Sequence, residues 1–338
     1  MVAFEGSSQS FAGFKQFVRS QILEPSVPPR LRARFLELAA AELRDLETSL
    51  RENFFSRQPA GYLESDFGRR DLQTHLIGRL DLDRKWCIPW LDAARALDGA
   101  RVLEIGCGTG VTTQALAEQG AKVVAIDVDG PALRVARRRL ELHGLDAELH
   151  EMSAVGIEAA FTPRSFDFII YWASLEHMTH DERMSTMRQS WRMLPQGSMW
   201  VVIETPNRLH FHDSHTSFLP FFHWLPDDVA LEYAQFSIRE GYRTDLAGRS
   251  LANAADRETL ARWGRGMSYH EFELTMKPVA ELKVVSSMLG YNAEQNAAYR
   301  ARQKVSRDTH WATLLRRLKP DAHPAFFEPY LNLIIQRT

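Results

Sequence analysis

The chain has 338 residues, 41 lysines and arginines against 43 aspartates and glutamates, and a formal net charge of −2. That balance argues against a surface built for nucleic acid, and only two cysteines, Cys87 and Cys107, exclude a disulfide scaffold. No stretch approaches the ~20 apolar residues of a membrane span and the N-terminus has no long apolar leader, so a cytoplasmic protein without a membrane partner is expected.

Residues 1–95 are expected to form a helical cap. Between Arg32 and Asn53, Leu36, Ala39, Ala40, Leu43, Leu46 and Leu50 recur at helical spacing. A break follows around Pro59 and Gly61. A further helix carries Asp71, His75 and Arg79 at four-residue intervals, which places them on one face. That face is either an exposed polar stripe or the mouth of a ligand cleft, with His75 and Arg79 as substrate contacts, because this helix directly precedes the first core strand.

Residues 96–206 read as the core. Val102-Leu103-Glu104-Ile105 is an apolar strand ending in Gly106-Cys107-Gly108-Thr109-Gly110, and residues 111–118 read as a helix closed by Gly120. Strand, glycine loop and helix open a nucleotide-binding α/β domain. The spacing is neither the dinucleotide G-x-G-x-x-G nor a phosphate loop with Gly-Lys-Ser/Thr. A second strand, residues 122–127, ends in Asp127, 21 positions after Gly106. A carboxylate there can accept hydrogen bonds from both ribose hydroxyls of a nucleoside, with Val128 against the adenine face. Asp129-Gly130-Pro131 offers an N-cap for a helix reaching His143. A third strand is expected at residues 147–150 and a fourth at 166–172. Thr179-His180-Asp181-Glu182 matches a capping box for a helix to Leu194, and a fifth strand covers 198–204. Alternation of this kind predicts right-handed βαβ units and a parallel sheet.

Residues 207–281 break the rhythm and are expected to form a substrate lid. Its helical stretch is predicted at 227–263. His210, His212 and His215 lie within six residues beside Asp213, with His223 beyond. Such a cluster can bind a transition metal, bind substrate or act as a base, or simply brace a loop; a metal is possible but not predicted. Phe218, Phe221, Phe222 and Trp224 either cover the ligand or pack a small core of their own. Arg208, Tyr269 and His270 are further candidate substrate contacts. Residues 282–338 are expected to complete the sheet, with a sixth strand near 282–286 and residues 330–336 as an antiparallel edge strand.

The run Glu104-x-Gly106-x-Gly108-x-Gly110 resembles motif I of the class I S-adenosylmethionine-dependent methyltransferases. Phe166-Asp167, the apolar strand after it and Glu176-His177 are similar to the fourth motif of small-molecule members such as the ubiquinone-pathway O-methyltransferases. Leu194-Pro195-Gln196-Gly197 resembles their L-x-P-G-G turn, with Gln196 in place of a glycine, and Glu204-Thr205-Pro206-Asn207-Arg208 looks like their E-T-P-N-R strand end. The resemblance covers roughly residues 75–210. It implies a doubly wound, mostly parallel Rossmann-like sheet and S-adenosylmethionine as cofactor. It implies approach of the cofactor over Gly106, Cys107, Gly108 and Gly110, with Glu104 orienting the loop or the methionine ammonium. Met152 and Ser153 fall at the adenine, where Ser153 departs from the family's frequent Asp, and Tyr171 and Trp172 at the methionine portion. His177 is the leading candidate base. The implied enzyme methylates a small molecule, most simply at a hydroxyl oxygen. Alternatives are a nitrogen or sulfur acceptor, an RNA or protein acceptor, or a non-catalytic cofactor sensor. The oligomeric state is not specified.

Overall fold

In the computed structural model, residues 26–338 are described apart from Pro163, Arg164 and Val305; the start of the expected cap, before residue 26, lies outside them. Seven strands form one sheet: β1 (Arg101–Ile105), β2 (Lys122–Asp127), β3 (Glu148–Glu151), β4 (Phe168–Trp172), β5 (Met199–Pro206), β6 (Lys283–Ser287) and β7 (Tyr330–Gln336). Their order is β3-β2-β1-β4-β5-β7-β6. β1 to β5 are parallel, and β7 runs antiparallel to both β5 and β6.

The last strand is therefore not the edge. The pattern explains why: Leu333, Ile334 and Ile335 are all buried, as befits a strand covered on both faces. β6 alternates exposed and half-buried residues and takes the edge instead.

Alternate residues feed two cores. Leu103, Ile126, Ile169, Tyr171, Trp200 and Val202 face one layer, which includes Met187 and Trp191 of the helix His180–Met193. Val102, Ala125, Phe168, Ile170, Trp172 and Val201 face the other, with Trp90, Val111, Ala115 and Leu133. Helices on both faces make the sheet doubly wound, as expected. Among the described residues, no helix is long and apolar enough to cross a membrane.

The first long helix begins at Ala40 rather than near residue 32, because the Glu42 carboxylate accepts the Ala39 amide at 2.7 Å and fixes its start there. Residues 66–94 form one helical rod interrupted by two π-helical turns, Thr74–Gly78 and Asp83–Cys87. Two buried arginines fasten this rod to the core. Arg84 pairs with Glu118 through two nitrogens at 2.9 and 2.5 Å, and Arg139 donates to the carbonyls of Thr109, Leu76 and His75 at 3.1, 3.2 and 2.6 Å. The π-turn and Arg139 together hold His75 against the glycine loop.

The stretch after β5 is not one helix. It breaks into Asp227–Tyr233, Glu240–Leu246 and Ala254–Arg262, which share a separate small core of Leu219, Phe222, Leu231, Tyr242, Leu246 and Leu260. Of the four aromatics before it, Phe222 is buried there, whereas Phe218, Phe221 and Trp224 remain partly exposed.

Candidate active site

The carboxyl edge of the parallel strands is where open α/β sheets bind ligands, and two backbone irregularities mark it here. Ala173, directly after β4, has φ of 47°, and Glu204, near the end of β5, has φ of 60°. Left-handed non-glycine residues cost about 1–3 kcal/mol and cluster at functional sites. At Glu204 the cost is offset by Asn332, whose carbonyl accepts the Glu204 amide at 2.7 Å, and the β5–β7 register shifts at this point.

The glycine loop turns on amide bonds from Gly106 and Cys107 to the Ile126 carbonyl at 2.8 and 3.1 Å. Two glycines are required by space as well as by φ. A Cβ on Gly106 would lie 2.5 Å from that of Ser174, and one on Gly110 would lie 2.7 Å from that of Ala136. Gly108 donates its amide to Asp127 Oδ2 at 2.7 Å, and Asp129 donates to Oδ1 at 2.8 Å. Burial raises the Asp127 carboxyl against the pull of these amides. Each oxygen keeps a lone pair for a sugar hydroxyl. Val128, beside it, is 70% exposed, an apolar surface with nothing on it. Met152 is tied to this end by its amide bond to the Asp127 carbonyl, and the Ser153 hydroxyl accepts from Val155, which leaves its proton to donate.

The structure refines three sequence expectations for this crevice. Glu104 is fully buried and accepts from the hydroxyls of Thr112 and Thr113, so it braces the loop onto its helix rather than reaching an ammonium. Burial pushes its carboxyl up to about 7. Tyr171 points into the core, its hydroxyl on Thr186 and its ring against Trp200, because inward positions on a central strand are filled from both faces. Cys107 likewise buries its thiol and offers the loop only its backbone. Trp172 is buried too, yet its indole N–H finds no hydrogen-bond partner.

Residues from the helical rod complete one wall. His75 Nδ1 lies 3.4 Å from the Thr109 hydroxyl, and its Nε2 lies 3.6 Å from Asp71. Enclosure among Phe54, Phe55 and the loop pushes its imidazole down to about 4. Arg79 pairs with Glu204 at 3.0 Å. Arg57, which sequence reasoning passed over, pairs with Asp129 at 2.5 Å and so reaches the adenosine end.

Beyond the loop, β4 leads into the turn Leu175–His177. Buried Arg183 holds this turn by donating to the Leu175 carbonyl at 2.8 Å, and ties it to the insertion through the Arg265 carbonyl at 3.0 Å. Ser174, buried beside Gly106, has a hydroxyl without a partner. Glu176 is fully buried. Its Oε2 accepts from the Thr205 hydroxyl at 2.9 Å, and its Oε1 accepts from nothing. His177 Nε2 and His215 Nε2 stand 3.9 and 3.8 Å from that oxygen. Burial lowers the His215 imidazole. Ser174, Glu176 and Thr205 were absent from the expected site; their signal was position, polar residues just past the ends of β4 and β5.

The histidine-rich segment divides. Only His215 joins His177. Asp213 shapes this segment instead: its carboxylate accepts the amides of His215, Thr216 and Ser217 at 3.0, 2.9 and 2.7 Å and faces His223 at 3.3 Å. Burial works to raise it, but these partners hold it far below the usual carboxylate range. His210 is buried with both ring nitrogens engaged, on the His212 carbonyl and on Asp308 at 2.9 and 3.1 Å, so both are tied to partners outside the Glu176 cluster. His212 sits in a backbone bridge to Pro220 and not in the cluster. Arg208 donates to the Gly266 carbonyl and lines an open concavity of about 480 Å³ with His223, Trp224 and Arg265. Tyr269 stacks on exposed His270, which meets Ser268, and against Phe327. None of these bonds is to Glu176, His177 or His215.

A methyltransferase-domain family model matches residues 102–197. A ubiquinone biosynthesis O-methyltransferase of Azoarcus sp. (strain BH72) is 34% identical over 134 residues, 40% of this chain and 53% of that one. Its counterpart in Pseudomonas entomophila (strain L48) is 33% identical over 121 residues, 36% and 50% of the two chains. The chain thus spans about half the length of the curated relatives it matches. A solved S-adenosylmethionine-dependent methyltransferase of Methanosarcina mazei is 28% identical, with 35% of this chain and 58% of that one covered and a TM-score of 0.33. The family match spans the glycine loop, Asp127 and the Glu176–His177 turn, and stops before the segment that supplies His215. With that loop, that carboxylate and the orphaned polar atoms beside them, residues 102–197 match a methyltransferase domain, for which S-adenosylmethionine is the cofactor.

Proposed function

We propose that this chain transfers the methyl group of S-adenosylmethionine to a hydroxyl oxygen of a small-molecule acceptor. The observation that carries the proposal is the convergence of one orphaned, buried carboxylate oxygen and two imidazole nitrogens at the sheet's carboxyl edge, next to the glycine loop.

The cofactor supplies an activated methyl carbon on a sulfonium. The chain's residues do the rest. Asp127 and the amide of Gly108 fix the sugar end, Val128 offers the apolar face for adenine, and Ser174 presents an unpaired hydroxyl next to the loop. An acceptor hydroxyl must lose its proton as the oxygen attacks. The Nε2 atoms of His177 and His215 are placed to take it, with Glu176 stabilising the resulting imidazolium. A positioned base contributes roughly 100- to 10,000-fold. Oxygen is favoured because the curated relatives are named O-methyltransferases. The acceptor is this chain's own, because His215 and the residues 207–281 that shape its lid lie outside the matched stretch.

Calorimetry with S-adenosylhomocysteine and with NAD, followed by assay of S-adenosylhomocysteine release over a panel of phenols and aliphatic alcohols, tests this. Binding of the first nucleoside alone and a product heavier by one methylene are expected. Stabilisation by NAD and not by S-adenosylhomocysteine overturns the proposal. His177→Ala is expected to lose turnover while cofactor affinity is kept.

A further inference from the structure

We propose that Glu176 Oε1, His177 Nε2 and His215 Nε2 bind a divalent transition-metal ion of the Zn2+ type. The three ligand atoms lie within 4.8 Å of one another. What they lack is a proton to share. His177 gives its Nδ1–H to the Arg262 carbonyl at 2.8 Å, which leaves a lone pair on Nε2. His215 Nδ1 meets the Thr216 hydroxyl at 3.0 Å, and that hydroxyl spends its own proton on the Gly264 carbonyl at 3.1 Å, so Nδ1 carries the hydrogen and Nε2 again a lone pair. Three lone pairs therefore face one another across 3.8 and 3.9 Å, too far for hydrogen bonds and with no donor between them. One of them belongs to a fully buried carboxylate. A cation resolves that arrangement.

The surroundings match a metal site's support. Metal-bound histidines hand their other N–H to a carbonyl or similar acceptor, and ligating carboxylates are themselves hydrogen-bonded; here Arg262, Thr216 and Thr205 fill those places. Tetrahedral Zn2+ with bonds of about 2.0 Å sets its ligands about 3.3 Å apart, so the two carboxylate–imidazole distances need to contract by about 0.5 Å, while the two imidazole nitrogens start within 4.8 Å of each other. Gly264 has φ of 111°, and a Cβ there would stand 2.9 Å from the Thr216 hydroxyl and 3.6 Å from the His177 ring, so only glycine lets this turn back the two imidazoles. Two imidazoles and one carboxylate suit Zn2+ and its transition-series neighbours and are poor ligands for Mg2+ or Ca2+. Three protein ligands leave a position open. With the ion bound, both Nε2 lone pairs are taken and the metal replaces the imidazoles as the activating group: an acceptor hydroxyl would sit on the ion and release its proton to water more readily. Only that last role rests on the proposed methyl transfer; the binding site does not.

The test uses the full chain stripped with EDTA and titrated with Zn2+ or Co2+ alone, by calorimetry and by the visible absorption of Co2+. One equivalent is expected, with Co2+ bands in the visible that Zn2+ abolishes and excess Mg2+ does not. His215→Ala and Glu176→Gln should each weaken binding by more than the roughly 10- to 100-fold typical of a supporting residue, and Thr216→Val by about that amount. His210→Ala should leave binding unchanged. A wild-type chain that binds neither ion more tightly than His215→Ala overturns the inference, as does an equal loss in His210→Ala; the wild-type stoichiometry decides even if a variant fails to fold. S-adenosylhomocysteine binding, measured separately, reports on the methyl-transfer proposal alone.

Discussion

The glycine crevice and the histidine cluster lie on the same sheet edge but are built in opposite ways. At the crevice the loop is backbone with a missing Cβ at Gly106 and Gly110, and the side chain that matters most, Asp127, is held by the amides of the loop and of Asp129 beside it. At the cluster the working groups are side chains drawn from three places, the turn after β4, the end of β5 and the insertion, and each is aimed by a bond to something distant in sequence, His215 through Thr216 and its bond to Gly264. The first kind of site is a local property of the chain. The second exists only once the insertion is seated.

The largest effect should come from filling the crevice. Gly106→Ala puts a Cβ 2.5 Å from that of Ser174 at a φ of 82°. Left-handed strain of about 1–2 kcal/mol and overpacking of about 1–3 kcal/mol predict a loss of roughly 2–5 kcal/mol in stability, with S-adenosylhomocysteine binding abolished. Urea denaturation and calorimetry measure both. A variant that binds normally would mean that the loop does not approach the ligand.

The insertion is probed by a matched pair. His215→Ala should lower kcat by roughly 100- to 10,000-fold with cofactor affinity kept, whereas His210→Ala, whose ring is locked between the His212 carbonyl and Asp308, should cost stability and not turnover. Equal kcat losses in the two would erase the distinction.

This contrast also explains what the sequence could convey. The strand boundaries, the capping box at Thr179 and Glu182, the N-cap at Asp129 and the loop–Asp127 pairing follow from local rules and appear as expected. The position of the final strand did not, because burial on both faces depends on what packs outside it. Among the histidines, spacing put three candidates within six residues, but the choice among them is made by Asp213, which winds residues 213–217 so that only His215 turns toward Glu176. No periodicity encodes that. Tyr171 failed for a related reason: a strand residue at the right end of β4 still alternates, and its turn fell inward.

The third test concerns the buried acid under the crevice. Glu104 titrates at about 7 when folded against an ordinary 4.5. Because its folded value is raised, the native state holds a proton that the unfolded chain has already lost between those values. Its contribution is therefore most favourable below pH 4.5 and declines as pH rises to 7, by about 3 kcal/mol in all. Glu104→Gln carries no such titration. The difference in stability between the two chains should shift by that amount between pH 4.5 and 7 and then level off. Comparison with the variant cancels other groups, such as Glu328, which burial pushes up to about 8. Parallel curves would show that Thr112 and Thr113 keep Glu104 ionised throughout.

Asp127→Asn should act more mildly and on binding. An amide offers one acceptor oxygen where the carboxylate offers two, so either the Gly108 or the Asp129 amide loses its partner. Hydrogen bonds to a charged group are worth about 1.5–3 kcal/mol, which predicts a roughly 10- to 100-fold loss of S-adenosylhomocysteine affinity. An unchanged affinity would separate the sugar from this carboxylate.

The smallest effect lies at the seam between the two regions. Arg262, at the end of the insertion's helix Ala254–Arg262, donates from Nη1 and Nη2 to the two oxygens of Glu182 at 2.6 and 2.8 Å. Both side chains are about a third exposed or more, 42% and 31%, so solvent screens the pair. Such pairs contribute about 0.2–1 kcal/mol, and the bidentate fork favours the upper half of that range. Glu182 also closes the capping box by accepting the Thr179 amide at 2.8 Å, so Glu182→Ala alone overstates the bridge. The double-mutant cycle with Arg262→Ala removes that cost and should leave a coupling of about 0.5–1 kcal/mol that shrinks in high salt. The His177 contact survives in Arg262→Ala, because it is made to the Arg262 backbone carbonyl. A coupling well above 1 kcal/mol would mean that this bridge, and not buried Arg183, holds the insertion against the core.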